Sequence, residues 1–292
     1  MTNSRKPRLP AAWYPRYPGE ITDFLKPFRP LRSAGDVLAA VAPHAAWYYS
    51  GALAAQAAAV LSGGTVDTVA VIGGHLPGGA KPVFAMEDSC LTPAGEMEID
   101  TELRDMVKES LDGQADVQVD NTVEVLLPMV KSFFPGAKLL WARFPAELSS
   151  YQSGKTLAKA ALSLGRRVKT LGSTDLTHYG SHYGFSPMGF GRGALDWVKT
   201  VNDRRFIEAV IDGDPRKILD RAEKECSACS AGAVLGAMGF AVETAAQAGE
   251  AERPAAELLE YRTSADVTGE DDSFVGYMAF CWRSGTGAYS RQ

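Results

Sequence analysis

Short apolar runs alternate along the chain with longer segments in which apolar residues recur at helical spacing. The short runs are rich in Val, Ile and Leu and predict buried strands, whereas the longer segments predict amphipathic helices. Predicted strands cover residues 37–41, 69–72, 83–86, 139–144 and 168–171, and predicted helices cover 51–61, 101–111, 123–133 and 154–164. This alternation predicts an α/β fold with a mostly parallel or mixed central sheet that helices cover.

Beyond Gly193 the pattern becomes mostly helical before two strand-like segments close the chain. Predicted helices cover 195–211 and 215–225, a small-residue stretch runs from 228 to 248, and predicted strands cover 257–263 and 274–282. No low-complexity linker and no internal repeat separates these segments. We therefore expect residues 1–292 to form a single domain.

Composition narrows the range of partners and compartments. A formal net charge of −5 argues against a nucleic-acid partner, which normally requires a basic face. No segment approaches about 18 uninterrupted apolar residues, so we expect no membrane span. Prolines interrupt the basic N-terminus and no apolar run follows it, so it does not resemble a signal peptide. Four cysteines are too few for a disulfide framework at this length, which favours a reduced, cytoplasmic protein.

Three of the four histidines follow predicted strands directly or closely. His44 comes after the first strand, His75 ends the second, and the pair Asp175 and His178 follows the strand at 168–171. Ligands of open α/β sheets bind beyond the carboxyl ends of parallel strands. We therefore expect these four side chains to meet in one polar site at one edge of the sheet.

Two kinds of chemistry fit such a site. Imidazoles that converge with a carboxylate or a thiolate suit zinc, copper or iron. Alternatively, Asp175 orients His178 for acid–base chemistry without a metal, because residues three apart share a face of a helical turn. Asp175 would equally suit a helix N-cap after Ser173 and Thr174. The sequence leaves these alternatives open.

The segment ECSACSAG contains the pair Cys226 and Cys229 at C-x-x-C spacing. It suits half of a zinc site, but no second C-x-x-C or H-x-x-H completes one. It also suits a redox pair at a helix N-terminus, where thiolate is favoured. Spacing alone favours a third interpretation, two small residues buried in a helix.

The segment SHYGFSPMGFGRGA, residues 181–194, carries four glycines and a proline and predicts a loop. It follows His178 closely, so it either covers that histidine or simply connects a strand to a helix. The fourth histidine, His182, is interpreted as a residue of this loop.

An ordered series of motifs runs along nearly the full length of the chain. The series comprises AAWYP (11–15), APHAAWYYSG (42–51), the His75 segment, TPAGEMEID (92–100), NTVEVLLP (121–128), STDLTHYG (173–180), the Cys229 segment, YRTSADVTG (261–269) and SFVGYMAF (273–280). It resembles the Memo family, also called AmmeMemoRadiSam system protein B, and STDLTHYG is its most specific match. The resemblance implies a single α/β domain similar in fold to the class III extradiol ring-cleaving dioxygenases.

The resemblance also implies a site. Carried over by position, His44, His75 and Cys229 are the implied metal ligands, and Asp175 and His178 are implied catalytic residues beside them. The resemblance thus adds Cys229 to the histidines that are selected by their positions at strand ends, and it gives no role to Cys226. One metal ion is implied: iron is expected of an oxygenase, and copper or zinc suit a site that contains a thiolate.

The chain departs from the family pattern at several positions. The usual A-P-H-A-G-Y has Ala46 and Trp47 in its last two places, and G-P-x-H becomes IGGH at 72–75. The usual E-H-S-I-E reads DNTVE at 120–124, so Asn121 replaces a site histidine among the catalytic residues. Asparagine exchanges hydrogen bonds but cannot shuttle protons near neutral pH. We expect weakened acid–base chemistry with an intact metal site.

Three functions remain open on this sequence. The first is a metal-dependent oxidoreductase, related to the non-haem extradiol dioxygenases, that acts on a small and aromatic substrate. The second is a non-catalytic metal- or peptide-binding protein on the same scaffold, because the Memo family includes members implicated in binding phosphotyrosine peptides. The third, metal-free hydrolysis by His178 and Asp175, ranks last because no nucleophile elbow of the G-x-S-x-G type occurs.

Overall fold

The computed structural model describes residues 3–28, 36–250 and 253–285. Its strands are β1 (Ser4–Arg5), β2 (Val37–Ala42), β3 (Thr68–Leu76), β4 (Val83–Phe84), β5 (Ser89–Thr92), β6 (Gly95–Glu98), β7 (Gln114–Ala115), β8 (Lys138–Pro145), β9 (Val168–Ser173), β10 (His178–Tyr179), β11 (Ala255–Thr263) and β12 (Phe274–Arg283). Its α-helices are α1 (Pro18–Leu25), α2 (Trp47–Leu61), α3 (Thr101–Ser110), α4 (Asn121–Glu124), α5 (Leu127–Phe133), α6 (Ser149–Ser163), α7 (Arg192–Trp197), α8 (Asp203–Asp212), α9 (Pro215–Lys224), α10 (Ala231–Gln247) and α11 (Ala265–Thr268). None of the helices in these ranges is both long and apolar enough to cross a membrane.

A mixed sheet organises the fold. Its strands lie in the order β10-β12-β2-β9-β3-β8-β4-β7, and β11 pairs with β12. The central strands β2, β9, β3 and β8 run parallel, whereas β12 and β4 pair antiparallel with β2 and β8. Helices pack on the sheet, so the predicted α/β fold with a mixed central sheet is confirmed. The return of the chain to β9, between β2 and β3, creates the crevice that ligands of such sheets occupy.

Strand β2 shows why the central strands read as continuous apolar runs. All six of its residues are buried. Ala40 and Ala42 belong to the core that α2 shares, whereas Ala39 and Val41 belong to the core on the other face, which α6 and α10 cover. Because successive side chains point to opposite faces, a strand covered on both sides needs apolar residues at every position.

Helix α10 lies unusually close to its neighbours because small residues line it. A Cβ atom on Gly154 of α6 would lie 1.9 Å from the carbonyl oxygen of Gly236. A Cβ atom on Gly232 would lie 2.1 Å from the carbonyl oxygen of Pro145, at the carboxyl end of β8. The backbones therefore touch directly, and the first turn of α10 is held at the carboxyl edge of the sheet.

Two predicted helices differ from those observed. The segment 123–133 forms two helices, α4 and α5, and Pro128 lies in the first turn of α5, where its missing N–H breaks no helical hydrogen bond. The segment 195–211 is interrupted by a π-helical turn at Val198–Asn202. The sequence pattern does not predict β1, β5, β6, β7 and β10, because strands of two to four residues are too short to show a period.

We expect Gly154→Ala to destabilise the protein strongly, because the added methyl group has no space beside Gly236. Overpacking of this kind costs about 1–3 kcal/mol or more in the free energy of unfolding. Urea denaturation followed by circular dichroism measures it. The matched control is Gly19→Ala, also within a helix, where an added Cβ meets nothing within 4 Å and stability should hold or rise. Equal losses in both variants would contradict this account of the helix packing.

Candidate metal centre

Three elements deliver the candidate metal ligands to one edge of the sheet. His44 follows β2 after Pro43, and His75 is the last residue but one of β3. Cys229 directly precedes Ser230, the N-cap residue of α10. Because β2 and β3 run parallel on either side of β9, both histidines leave the sheet at its carboxyl edge, where α10 begins.

The three side chains converge. One ligand atom from each of His44, His75 and Cys229 lies within 4.8 Å of the others. The Cys229 Sγ atom is 3.2 Å from His44 Nε2, and the two imidazole rings cross at 83° with centroids 4.9 Å apart. His44 is buried, whereas one third of the His75 side chain is exposed. A single metal ion therefore fits between these atoms, with one side open.

Hydrogen bonds orient both imidazoles. His75 Nδ1 lies 3.0 Å from Asp120 Oδ2, and this carboxylate accepts the Nδ1 proton. His44 Nδ1 lies 2.8 Å from the Ser173 hydroxyl. The Nε2 atom of each ring is therefore the one available to bind a metal ion at the centre of the cluster. Hydrogen bonds of this kind are typical of metal-ligating histidines, because they fix the tautomer and the direction of the ring.

The glycines of the IGGH segment explain how β3 reaches the site. A Cβ atom on Gly73 would lie 2.1 Å from Thr122 Oγ1, and one on Gly74 would lie 2.4 Å from the Cβ of Ser230. Only glycine allows the strand to approach both the 120–122 turn and the start of α10 so closely. His75 itself has a φ of 56°, in the left-handed region that non-glycine residues rarely adopt.

Charge in the cluster favours a thiolate. Burial is the largest single influence on Cys229 and would raise the pKa of its thiol, but His44 and His75 together outweigh it and hold this pKa well below its usual value. Burial lowers the pKa of His75, yet the hydrogen bonds to Asp120 and Cys229 raise it to about 10. The pKa of His44 is also raised, because attraction to Asp175 and Cys229 overcomes its burial.

Asp175 and His178 lie next to the ligands with different partners. Asp175 is buried, and its Oδ1 accepts the main-chain N–H of His44 at 2.7 Å. Residues 174–177 form no helix, so the interpretation of Asp175 as a helix N-cap is wrong. His178 Nδ1 lies 3.1 Å from the carbonyl oxygen of Leu176, which can only accept, so Nδ1 carries the proton. In this tautomer the Nε2 atom is the ring nitrogen without a proton.

Asn121 is the first residue of α4 and faces the same space as His178. Its Nδ2 atom donates to the main-chain oxygen of His44 at 2.9 Å. Both Asn121 and His178 line a cleft of about 470 Å³, whose floor includes His44, His75 and Asp175. The asparagine thus tethers the backbone of one ligand.

The loop predicted at 181–194 contributes one wall of this cleft. It begins with a 3₁₀ turn at Ser181–Tyr183, and α7 begins at Arg192. The Tyr183 ring meets the His178 ring edge-on at 5.0 Å between centroids. His182 also lines the cleft, and its Nδ1 lies 3.2 Å from the Ser273 hydroxyl. The loop therefore does more than connect two elements.

The two cysteines of C-x-x-C differ in surroundings. Cys226 is exposed, lies outside any helix and has a φ of 50°. The interpretation of the pair as two residues buried in a helix is therefore wrong. The sequence analysis also missed Asp120 and Ser173 as partners of the ligand histidines. The position of Asp120 beside the altered Asn121 was the available signal, whereas nothing in the sequence pairs Ser173 with His44.

Comparison with known sequences decides the family. The sequence profile of the family described as Memo-like protein matches residues 5–281. A MEMO1 family protein of Thermococcus onnurineus (strain NA1) is 31% identical over 296 residues, which cover 94% of this chain and 99% of the relative. MEMO1 family proteins of Pyrococcus abyssi and Methanococcoides burtonii are each 30% identical, and the alignments cover 96% and 94% of this chain and 99% and 98% of theirs. The chain belongs to the Memo family.

The donor set of this Memo protein fits a transition-metal ion. Two oriented Nε2 atoms and a thiolate match the ligand types that zinc, copper and iron accept. Every one of the three ligands lies within the matched residues 5–281. The exposed side of His75 leaves room for further ligands from the cleft.

We expect Cys229→Ser to abolish most metal binding, because a serine hydroxyl stays protonated where the thiolate binds. The loss should exceed the 10–100-fold that removal of a ligand's hydrogen-bond partner typically costs. Cys226→Ser is the matched control and should leave affinity unchanged. Elemental analysis and Co(II) titration measure both. Equal losses would instead indicate a site formed by both cysteines.

We expect metal affinity to rise with pH. Ligand histidines must be neutral, so binding displaces a proton from His75, whose pKa of about 10 keeps it protonated near neutral pH. The raised pKa of His44 acts in the same direction. The Cys229 thiolate contributes little, because its pKa is already low. Calorimetry in buffers of different ionisation enthalpy should therefore show proton release near neutral pH. A pH-independent affinity below the His75 pKa of about 10 would contradict the assigned charges.

Proposed function

We propose that this Memo protein is a metal-dependent oxidoreductase, with iron as the expected metal and copper or zinc as alternatives. The observation that carries the proposal is the cluster of His44, His75 and Cys229 ligand atoms, which lie within 4.8 Å of one another, with both histidines lining a cleft of about 470 Å³. Catalytic metal sites characteristically combine three protein ligands with open positions. A bound ion would supply redox or Lewis-acid chemistry at this floor.

His178 supplies the base. Its protonated Nδ1 is held by the carbonyl oxygen of Leu176, so its Nε2 is available to take a proton from a bound hydroxyl group. It lines the same cleft as His44 and His75. A base positioned in this way contributes typically about 10²–10⁴-fold in rate.

Asp175 and Asn121 have supporting roles in this proposal. Asp175 is buried against His44, and its burial, the largest influence, raises its pKa. Its carboxyl group holds the main chain of that ligand rather than the ring of His178. Asn121 cannot exchange protons near neutral pH and binds the same ligand's carbonyl oxygen. Neither Asp175 nor Asn121 therefore shares the acid–base work that this proposal assigns to His178.

The cleft favours a small aromatic substrate. Its walls include Trp13, Tyr49, Tyr183 and Tyr277, and its volume suits a small molecule. In the described part of the chain, neither lysine nor arginine lines it. A strongly anionic group such as a phosphate would find no lysine or arginine to bind it on the walls away from the metal centre, so an uncharged ring is the better fit.

A non-catalytic metal- or peptide-binding protein is the second candidate. It is favoured by the engagement of Asn121 with the main chain of His44, which places a structural contact where the family usually has a histidine. Exposed Tyr48 and Tyr49 near the cleft also offer aromatic contacts to a peptide.

Oxygen uptake by iron-loaded protein tests the proposal. After anaerobic purification and Fe(II) loading, we expect slow uptake with catechol-like substrates, a loss of about 10²–10⁴-fold in His178→Ala, and a gain in Asn121→His. The metal content of both variants should match that of the native protein. No uptake by any of the three proteins would favour the binding function. Unchanged uptake in His178→Ala would remove His178 from the chemistry.

A further inference from the structure

Arg143 is an arginine buried inside the sheet beside the candidate metal centre. It lies on β8 and is 1% exposed. Burial of a charged group is costly unless it is paired. Its guanidinium binds both carboxylate oxygens of Asp116, at 2.9 and 3.0 Å, and the side-chain oxygen of Gln118 at 2.9 Å. Asp116 is itself buried and accepts the indole N–H of Trp141 at 2.9 Å.

The Nη1 atom of this guanidinium contacts the groups next to His75. Arg143 Nη1 donates to the main-chain oxygen of Gly74 at 3.3 Å and lies 3.3 Å from Asp120 Oδ2. That same carboxylate oxygen accepts the Nδ1 proton of His75 at 3.0 Å. A single atom of Arg143 therefore contacts both the backbone before His75 and the carboxylate that orients its ring.

His75 needs such support. Its φ of 56° lies in a region that is unfavourable for a non-glycine residue, and such a conformation persists only where its surroundings hold it. One third of its side chain is exposed, so packing alone does not fix the ring. By contrast, His44 is fully enclosed. The ligand with the least packing is the one next to the buried guanidinium.

We infer that Arg143 is a positioning residue for His75 and acts through Asp120. The guanidinium holds the carboxylate in place, and the carboxylate directs the His75 Nε2 atom at Cys229. The other donors of Arg143 are occupied by Asp116 and Gln118, so the arginine is itself rigidly placed. The inference rests on the metal centre of the proposed function, but it requires no catalytic activity.

Co(II) titration of the full chain tests the inference, because absorption reports thiolate coordination and ligand geometry independently of turnover. Arg143→Lys keeps the charge and loses the planar fork. We expect about 10–100-fold weaker Co(II) binding and altered d–d bands, and the same for Asp120→Asn. Arg104→Lys is the matched control: Arg104 is buried on α3 and binds Asp105 and the Glu87 carbonyl oxygen, so binding should be native.

The double variant decides whether Arg143 acts through Asp120. If it does, the double variant, Arg143→Lys with Asp120→Asn, should bind Co(II) with about the affinity of whichever single variant binds it more weakly. Multiplied losses, or native binding by Arg143→Lys, would overturn the inference. Should Arg143→Lys not fold, Arg143→Met with Asp116→Asn removes both buried charges together, and the same titration applies.

The proposed function and this inference fail in different ways. Native protein that binds Co(II) through its thiolate but consumes no oxygen would end the oxidoreductase proposal and leave the positioning role intact. Native protein without a thiolate–Co(II) band would overturn both, because no ligand would then need positioning.

Discussion

The direct backbone contact between α10 and the sheet is the constraint on which the site depends. Glycines at 154, 232 and 236 let α10 approach α6 and the end of β8 with no side chain between them. The first turn of α10 is thereby held at the carboxyl edge, and the residue before its N-cap is Cys229. A larger residue at these contacts would move the thiolate away from the two histidines, which the parallel strands deliver independently.

Around this junction, the candidate metal ligands and the candidate base have separate hydrogen-bond partners. Each ligand histidine has its own partner for Nδ1, Ser173 for His44 and Asp120 for His75. The carboxylates of Asp175 and Asp120 are thus engaged by the backbone or ring of these histidines. His178 is held through Nδ1 by the carbonyl oxygen of Leu176, and it lines the same cleft as His44 and His75. The arrangement suits an oriented metal ion with a candidate proton acceptor, His178, beside it.

The positions of the histidines after predicted strands indicate correctly that they meet. Parallel strands bring their carboxyl ends to one edge of the sheet, whatever chain lies between them. Prediction from position is less reliable wherever a contact depends on distant parts of the chain. Asp175 was expected to orient His178 or to cap a helix, but its carboxylate binds the main chain of His44, 131 residues away. Spacing favours Cys226 in a helix, but the residue lies in the connection between α9, which ends at Lys224, and α10, which begins only at Ala231. Local spacing carries no information about such partners.

By itself, the sequence determined the α/β alternation, the buried strands and the strand-end positions of His44, His75 and His178, because hydrophobic period and chain order are local properties. Family resemblance added Cys229, which no local pattern distinguishes from Cys226. Only the tertiary structure decided which side chains support the ligands. The buried Arg143 comes from β8, whereas the Asp120 carboxylate and the Asn121 tether come from the start of α4. Their roles follow from hydrogen bonds that exist only once the strands and α4 are packed together.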